Sequence, residues 1–299
     1  MMRKGSIYKS EEGKRKIEQH YESYLQILNF EVERKYVKTS FGNTHVLVAG
    51  PTEGKPIFIL QGGNCINPMT LSWFSSLVEK YRVYAPDTLG HPGFSDETRM
   101  SGKDHSFARW IEELMDYFHL NRCAFVGPSF GAGIILRLAS FMPQKIDCSI
   151  LVSPAGIRLG SKVKMIKEIL LPLFLFKATA DEKHVESITG IMSDRKMKKE
   201  DRQIIADIFR HVKLEQEMPK LSEKKELMRY HAPTLVISGK KDIFFPESCL
   251  REAVRELLPS ETTLKAFDMG HFPDDEHLRL INIEMNQFLE AYYEKEQLA

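Results

Sequence analysis

Residues 123–133 read Cys123-Ala124-Phe125-Val126-Gly127-Pro128-Ser129-Phe130-Gly131-Ala132-Gly133, and Ile134-Ile135-Leu136 follow directly. The apolar run is short and closed by glycine and proline, which marks a buried strand rather than a helix. The apolar residues beyond the glycines resume at helical spacing. Strand, tight turn and helix therefore meet at Ser129, inside the pattern G-x-S-x-G. Glycines on both sides let neighbouring backbone pass close, so that a serine hydroxyl can stand clear of a sheet. The helix N-terminus behind it favours negative charge developing at that point.

Outward from this stretch, short apolar runs alternate with segments of helical period. Strands are expected at Ile57–Leu60, Arg82–Ala85, Ala124–Val126, Ser149–Val152, Leu235–Ile237 and Thr263–Ala266, and helices at 69–79, 104–118, 131–141, 247–257 and 276–294. Continuous apolar strands separated by helices are the mark of βαβ units whose parallel strands are covered on both faces. The fold class expected is α/β, a doubly wound, mostly parallel sheet. Glu31–Thr39 and His45–Ala49, joined through Phe41-Gly42-Asn43-Thr44, read as a hairpin on its edge.

Ahead of the hairpin, Ile17, Tyr21, Tyr24, Leu25 and Leu28 give residues 9–30 the spacing of an amphipathic helix. The alternation breaks again between Gly156 and Tyr230, a stretch of helical period with no clear strand. An insertion of that length between two sheet strands reads as a helical cap. The expected division is 1–30 as an N-terminal helical extension, 31–156 with 231–299 as the core, and 157–230 as the cap. The apolar stripe Leu170, Leu171, Leu173, Phe174, Leu175 and Phe176 reads as the cap's own core, or less favourably as the lining of a pocket.

A serine hydroxyl needs a base to become a nucleophile. Among ten histidines, His271 is the one that follows the last expected strand on a loop, in Phe267-Asp268-Met269-Gly270-His271-Phe272-Pro273. The base in turn needs an acid on its far nitrogen. Asp242 ends the loop after the strand at Leu235–Ile237, its rival is Asp268, and the loop Ser153-Pro154-Ala155-Gly156 offers no carboxylate. The set Ser129, Asp242 and His271 then follows the chain order serine, acid, histidine. An oxyanion would need N–H donors. Phe130, directly after the serine, supplies one, and Gly63 in Gln61-Gly62-Gly63-Asn64 is the first choice for the other.

With these residues in place the chain resembles the α/β-hydrolase superfamily from about Glu31 to Leu289. Asp87-Thr88-Leu89-Gly90-His91-Pro92-Gly93-Phe94-Ser95 is similar to the family's D-x-x-G-x-G-x-S loop, with Pro92 as an interruption. Two departures stand out: Gln61 occupies the place of the usual oxyanion-loop histidine, and Pro128 precedes the serine. The resemblance implies a serine hydrolase that cleaves a small or medium, uncharged ester through an acyl-enzyme. Alternatives are a C–C bond hydrolase, an aminopeptidase-like hydrolase on the same triad, or a ligand-binding relative without turnover.

Composition narrows the partners. Lys+Arg of 42 against Asp+Glu of 41 leaves a formal charge of +1, so no global field recruits nucleic acid or an anionic membrane. A small-molecule substrate is expected. No nucleic acid partner, no organic cofactor and no metal is expected; Cys65, Cys123, Cys148 and Cys249 lie too far apart in sequence for a thiolate pair motif. Gly131-Ala132-Gly133 lacks the third glycine of a dinucleotide site. The apolar run Ile169–Phe176 is too short to span a bilayer, and the first residues show no secretory pattern, so a cytoplasmic location without membrane insertion is expected.

Overall fold

The computed structural model describes residues 5–294. In chain order it places α1 at Glu11–Gln26, β1 at Val32–Thr39, β2 at Gly42–Ala49, β3 at Pro56–Ile59, α2 at Asn67–Trp73, β4 at Arg82–Pro86, α3 at Ser106–Tyr117, β5 at Cys123–Pro128, α4 at Phe130–Phe141 and β6 at Ile146–Val152. The insertion then supplies α5 at Lys162–Met165, a π-turn at Ile166–Leu170, α6 at Leu171–Thr179, α7 at Glu182–Met192, α8 at Lys199–His211 and α9 at Lys224–Leu227. The chain returns through β7 at Thr234–Gly239, α10 at Glu247–Leu257, β8 at Thr263–Phe267 and α11 at Asp275–Leu289.

Among the described residues the strands form one sheet in the order β1-β2-β4-β3-β5-β6-β7-β8. β1 pairs antiparallel with β2 and β2 with β4, and every pair from β4 onward is parallel. The hairpin pairs Thr39 with Gly42, so β2 starts three residues earlier than its apolar content suggests; the backbone ladder carries polar Asn43 and Thr44 into the strand. Successive strand residues face opposite sides. Ile57, Ile59, Val126 and Ile150 join an apolar cluster with α1, α2 and α11, while Phe58, Phe125, Leu151 and Val236 join a second cluster with α3, α4 and α10.

β3 lies between β4 and β5, so the chain leaves β3 for one neighbour and returns to the other. At such a reversal the loops after two adjacent parallel strands diverge and leave a crevice at their carboxyl ends. Here those are the Gln61–Asn64 loop and the turn at Ser129.

The helices of the 157–230 insertion share the first cluster rather than forming their own: Ile169, Phe176, Val185, Ile188, Ile204 and Ile208 are continuous with the sheet face. α1 lies in the same layer, with Ile17 and Tyr21 buried and the Tyr21 hydroxyl donating to Asp87 at 2.7 Å. One expectation fails here. Leu170, Leu171 and Phe174 of the 170–176 stripe are exposed, while Phe176 is buried and Leu173 packs inward. A helix has a single face toward the core, so a run apolar all round leaves residues outside. No helix among the described residues is long and apolar enough to cross a membrane.

Candidate active site

The turn after β5 is tight enough to dictate its residues. A methyl group at Gly131 would sit 2.3 Å from the Leu60 carbonyl oxygen, and one at Gly127 would sit 2.6 Å from the Gly131 carbonyl carbon. Only hydrogen fits at either place. Between them Ser129 adopts φ 49° and ψ −111°, a left-handed backbone that a residue with a side chain rarely takes and that costs about 1–3 kcal/mol. Its own N–H donates to Val152 O at 2.8 Å, and its carbonyl accepts from Ala155 N at 3.1 Å. The strain is thus fixed by β6 and the loop behind it, and the half-buried hydroxyl stands at the head of α4.

Two further loops leave the same carboxyl edge of the sheet, after β7 and β8. After β7, Asp242 turns back on its own chain, accepting from the Phe244 and Phe245 amides at 2.8 and 3.0 Å through Oδ1. Its Oδ2 lies 2.9 Å from His271 Nδ1, and the carboxylate is fully shielded from solvent. Burial alone would raise this carboxyl; the charge and hydrogen bond of His271 and the two amides outweigh it and hold it below the usual range. An ionised carboxylate only accepts, so Nδ1 donates and Nε2 is left with its lone pair. The ring is held edge-on to Phe244 at 4.9 Å.

Asp268, the rival acid, points elsewhere. Its side chain is 67% exposed and pairs with Lys241 at 3.0 Å. The loops after β7 and β8 are laced together by Lys240 N to Phe267 O and Lys241 N to Met269 O, which ties the loop of the acid to that of the histidine. The structure joins Asp242 to His271. It does not join His271 to Ser129, whose hydroxyl has no hydrogen-bond partner among the described residues.

The Gln61–Asn64 loop meets α4 at the reversal point. A methyl group built on Gly63 would lie 3.0 Å from Phe130 Cβ, which sets the two residues side by side. Gly62 N is occupied by Thr70 Oγ1 at 3.2 Å, whereas neither the Gly63 nor the Phe130 amide has a partner among the described residues. Gln61 is buried and saturated: Nε2 donates to Cys65 O at 2.6 Å and Pro92 O at 3.0 Å, and Oε1 accepts from Thr88 N at 2.7 Å. It therefore ties the loop after β3 to the loop after β4, support of the kind a histidine in that place would have to give.

Comparison with known proteins agrees with this fold. A family model described as the alpha/beta hydrolase fold matches residues 55–183. The carboxylesterase YbfK of Bacillus subtilis is 24% identical over 277 residues, which cover 91% of this chain and 92% of that protein. The crystal structure of YbfK aligns with a TM-score of 0.76 at 22% identity, over 93% of this chain and 98% of that one. The chain has the α/β-hydrolase fold. The naproxen esterase (carboxylesterase NP) of Bacillus subtilis has the same architecture, with a TM-score of 0.82 at 19% identity over 94% of this chain and 99% of that one.

Within this fold, some contacts around the site have no signature in the sequence. Phe272 N donates to Met192 O at 2.7 Å, so the end of α7 closes on the histidine loop. Asn64, at φ 51°, bonds both the N–H and the carbonyl of Glu215, which fastens the Gly63 loop to the segment after α8. The His91 ring packs 4.6 Å from the Phe130 ring, and burial pushes its pKa down to about 4. A positive φ at Asn64 is the one local cue, since asparagine tolerates that backbone better than most.

Proposed function

We propose that this α/β-hydrolase is a carboxylesterase-like serine hydrolase in which Ser129, His271 and Asp242 form the catalytic triad. The observation that carries the reading is the shielded Asp242–His271 pair, on loops at the same carboxyl edge of the sheet as a serine held in strained backbone. The matched relatives named as carboxylesterases support it. Neutral His271 takes the proton as Ser129 Oγ attacks the ester carbonyl carbon, and the charge formed on carbonyl oxygen is met by the Gly63 and Phe130 amides. Collapse breaks the bond to the leaving alkoxide, which receives the proton from His271 and departs. Water, deprotonated by His271 in turn, cleaves the acyl-enzyme and returns Ser129. Nδ1–H to Asp242 keeps the tautomer that makes both transfers work.

The substrate class proposed is an uncharged ester of small or medium size, with residues 157–230 acting as the cap over the core of 31–156 and 231–299 and residues 1–30 as an N-terminal extension. A panel of nitrophenyl esters together with a fluorophosphonate probe tests the assignment. Wild-type protein should turn over at least one ester and label on Ser129, and Ser129→Ala should label not at all and lose at least about 10³-fold in kcat. Turnover that survives in Ser129→Ala would overturn the mechanism.

A further inference from the structure

From Lys162 to Thr179 the first cap helix runs through α5, the π-turn and α6 without interruption. Its inner side is accounted for: Ile169 and Phe176 are buried, and Met165 and Leu173 pack against the same cluster. Its outer side is not. Val163, Ile166, Leu170, Leu171 and Phe174 are 75%, 56%, 55%, 51% and 66% exposed. Steps of three and four residues keep Val163, Ile166, Leu170 and Phe174 on one face, so these side chains make a continuous stripe.

The charge beside the stripe is one-sided. Lys162, Lys164, Lys167 and Lys177 are exposed on this helix, against Glu168 as its one acidic residue. None of the four lysines has an ion-pair partner among the described residues. In a chain whose formal charge is only +1, this is a local concentration rather than a reflection of overall composition. An apolar stripe flanked by unpaired lysines matches a surface that is apolar within and anionic at its rim.

We propose that the 162–179 helix docks the protein on an anionic lipid surface, lying in the plane of the interface with the stripe among the acyl chains and the lysines at headgroup level. Lysine stems can lie along the apolar side while their ammonium groups reach the phosphates. A second copy of the chain fits less well, because pairing two such faces brings eight lysines together with two glutamates to offset them. At the foot of the helix Gly160 N donates to Phe244 O at 2.7 Å, so the docking helix is tied directly to the loop that holds Asp242. The proposal goes beyond the esterase reading and does not depend on it, since docking is measured without turnover.

Co-sedimentation with phosphatidylcholine vesicles, with and without phosphatidylglycerol, tests it on the full chain. Wild-type protein should bind the phosphatidylglycerol vesicles, weakly at raised salt, and bind pure phosphatidylcholine much less. Leu170→Ser with Phe174→Ser should weaken partitioning by at least about tenfold. Changing the four lysines to glutamine should cost at least about tenfold on anionic vesicles and little on neutral ones. Both variants should keep the wild-type circular dichroism spectrum and the wild-type rate on a water-soluble ester. Ser129→Ala should bind vesicles as wild type does, which separates docking from catalysis. Absence of binding to anionic vesicles, equal binding by the variants, or a solution dimer that Leu170→Ser with Phe174→Ser turns into monomer would each overturn the proposal.

Discussion

Asp242 and Asp268 differ by chemistry that a substitution can expose. Asp242 is shielded, accepts two amides and holds His271 Nδ1 at 2.9 Å, whereas Asp268 is an exposed partner of Lys241. Asp242→Asn should keep the loop's shape yet let the imidazole settle with its proton on the wrong nitrogen, lowering kcat by at least about 10²-fold with little change in KM. Asp268→Asn should stay within about threefold of wild type, because it removes one exposed ion pair. Steady-state kinetics of the two variants on one ester decides, and a damaging Asp268→Asn beside a silent Asp242→Asn would reverse the assignment. The sequence alone chose Asp242 with Asp268 as its rival, since each follows a strand at the correct edge. What separates them is where the loop turns, and that depends on the Phe244 and Phe245 amides closing on Asp242.

The attachment of α1 to α8 can be tested at the level of the element. Asp207 of α8 has a side chain that is 4% exposed and binds His20 of α1 at 2.7 Å, with Gln203 and Arg210 as further donors. Burial alone would raise its carboxyl, but the hydrogen bonds from His20 and Gln203 and the charges of His20 and Lys16 hold it at about 2. That lies below the unfolded value of about 3.9, so the stabilisation is present above about pH 4 and is lost as pH falls toward 2. Asp207→Asn should therefore cost about 1–3 kcal/mol at neutral pH, and the difference from wild type should shrink as pH falls between about 4 and 2. Urea unfolding at both ends of that range measures it; a gap that widens on acidification would contradict the linkage. The helix itself was legible from Ile17 and Tyr21. Its partner was not, because a contact between residues 20 and 207 leaves no periodicity in either segment. The sheet behaved differently: strands covered on both faces are continuous apolar runs bounded by turns, and all six expected parallel strands lie where those runs are.

For the whole molecule the question is whether the 157–230 insertion, proposed as a cap, and the sheet are separable. The order of elements suggests that they are, since the insertion begins after β6 is complete and ends before β7 begins. Packing argues the other way: Val185 and Ile188 of α7 and Ile204 and Ile208 of α8 lie in the same apolar cluster as Ile17 of α1 and Ile57, Val126 and Ile150 of the sheet. A shared cluster cannot lose one wall without exposing the rest, so cap and sheet should unfold together. Differential scanning calorimetry should give one transition with calorimetric and van't Hoff enthalpies nearly equal. Ile188→Ala, which removes a fully buried side chain on the cap side, should lower the stability of that single transition by about 2–5 kcal/mol. In a molecule with an independent cap, the same substitution would instead split off an early transition and leave the main one in place. That outcome would show that the continuous cluster does not couple the two regions.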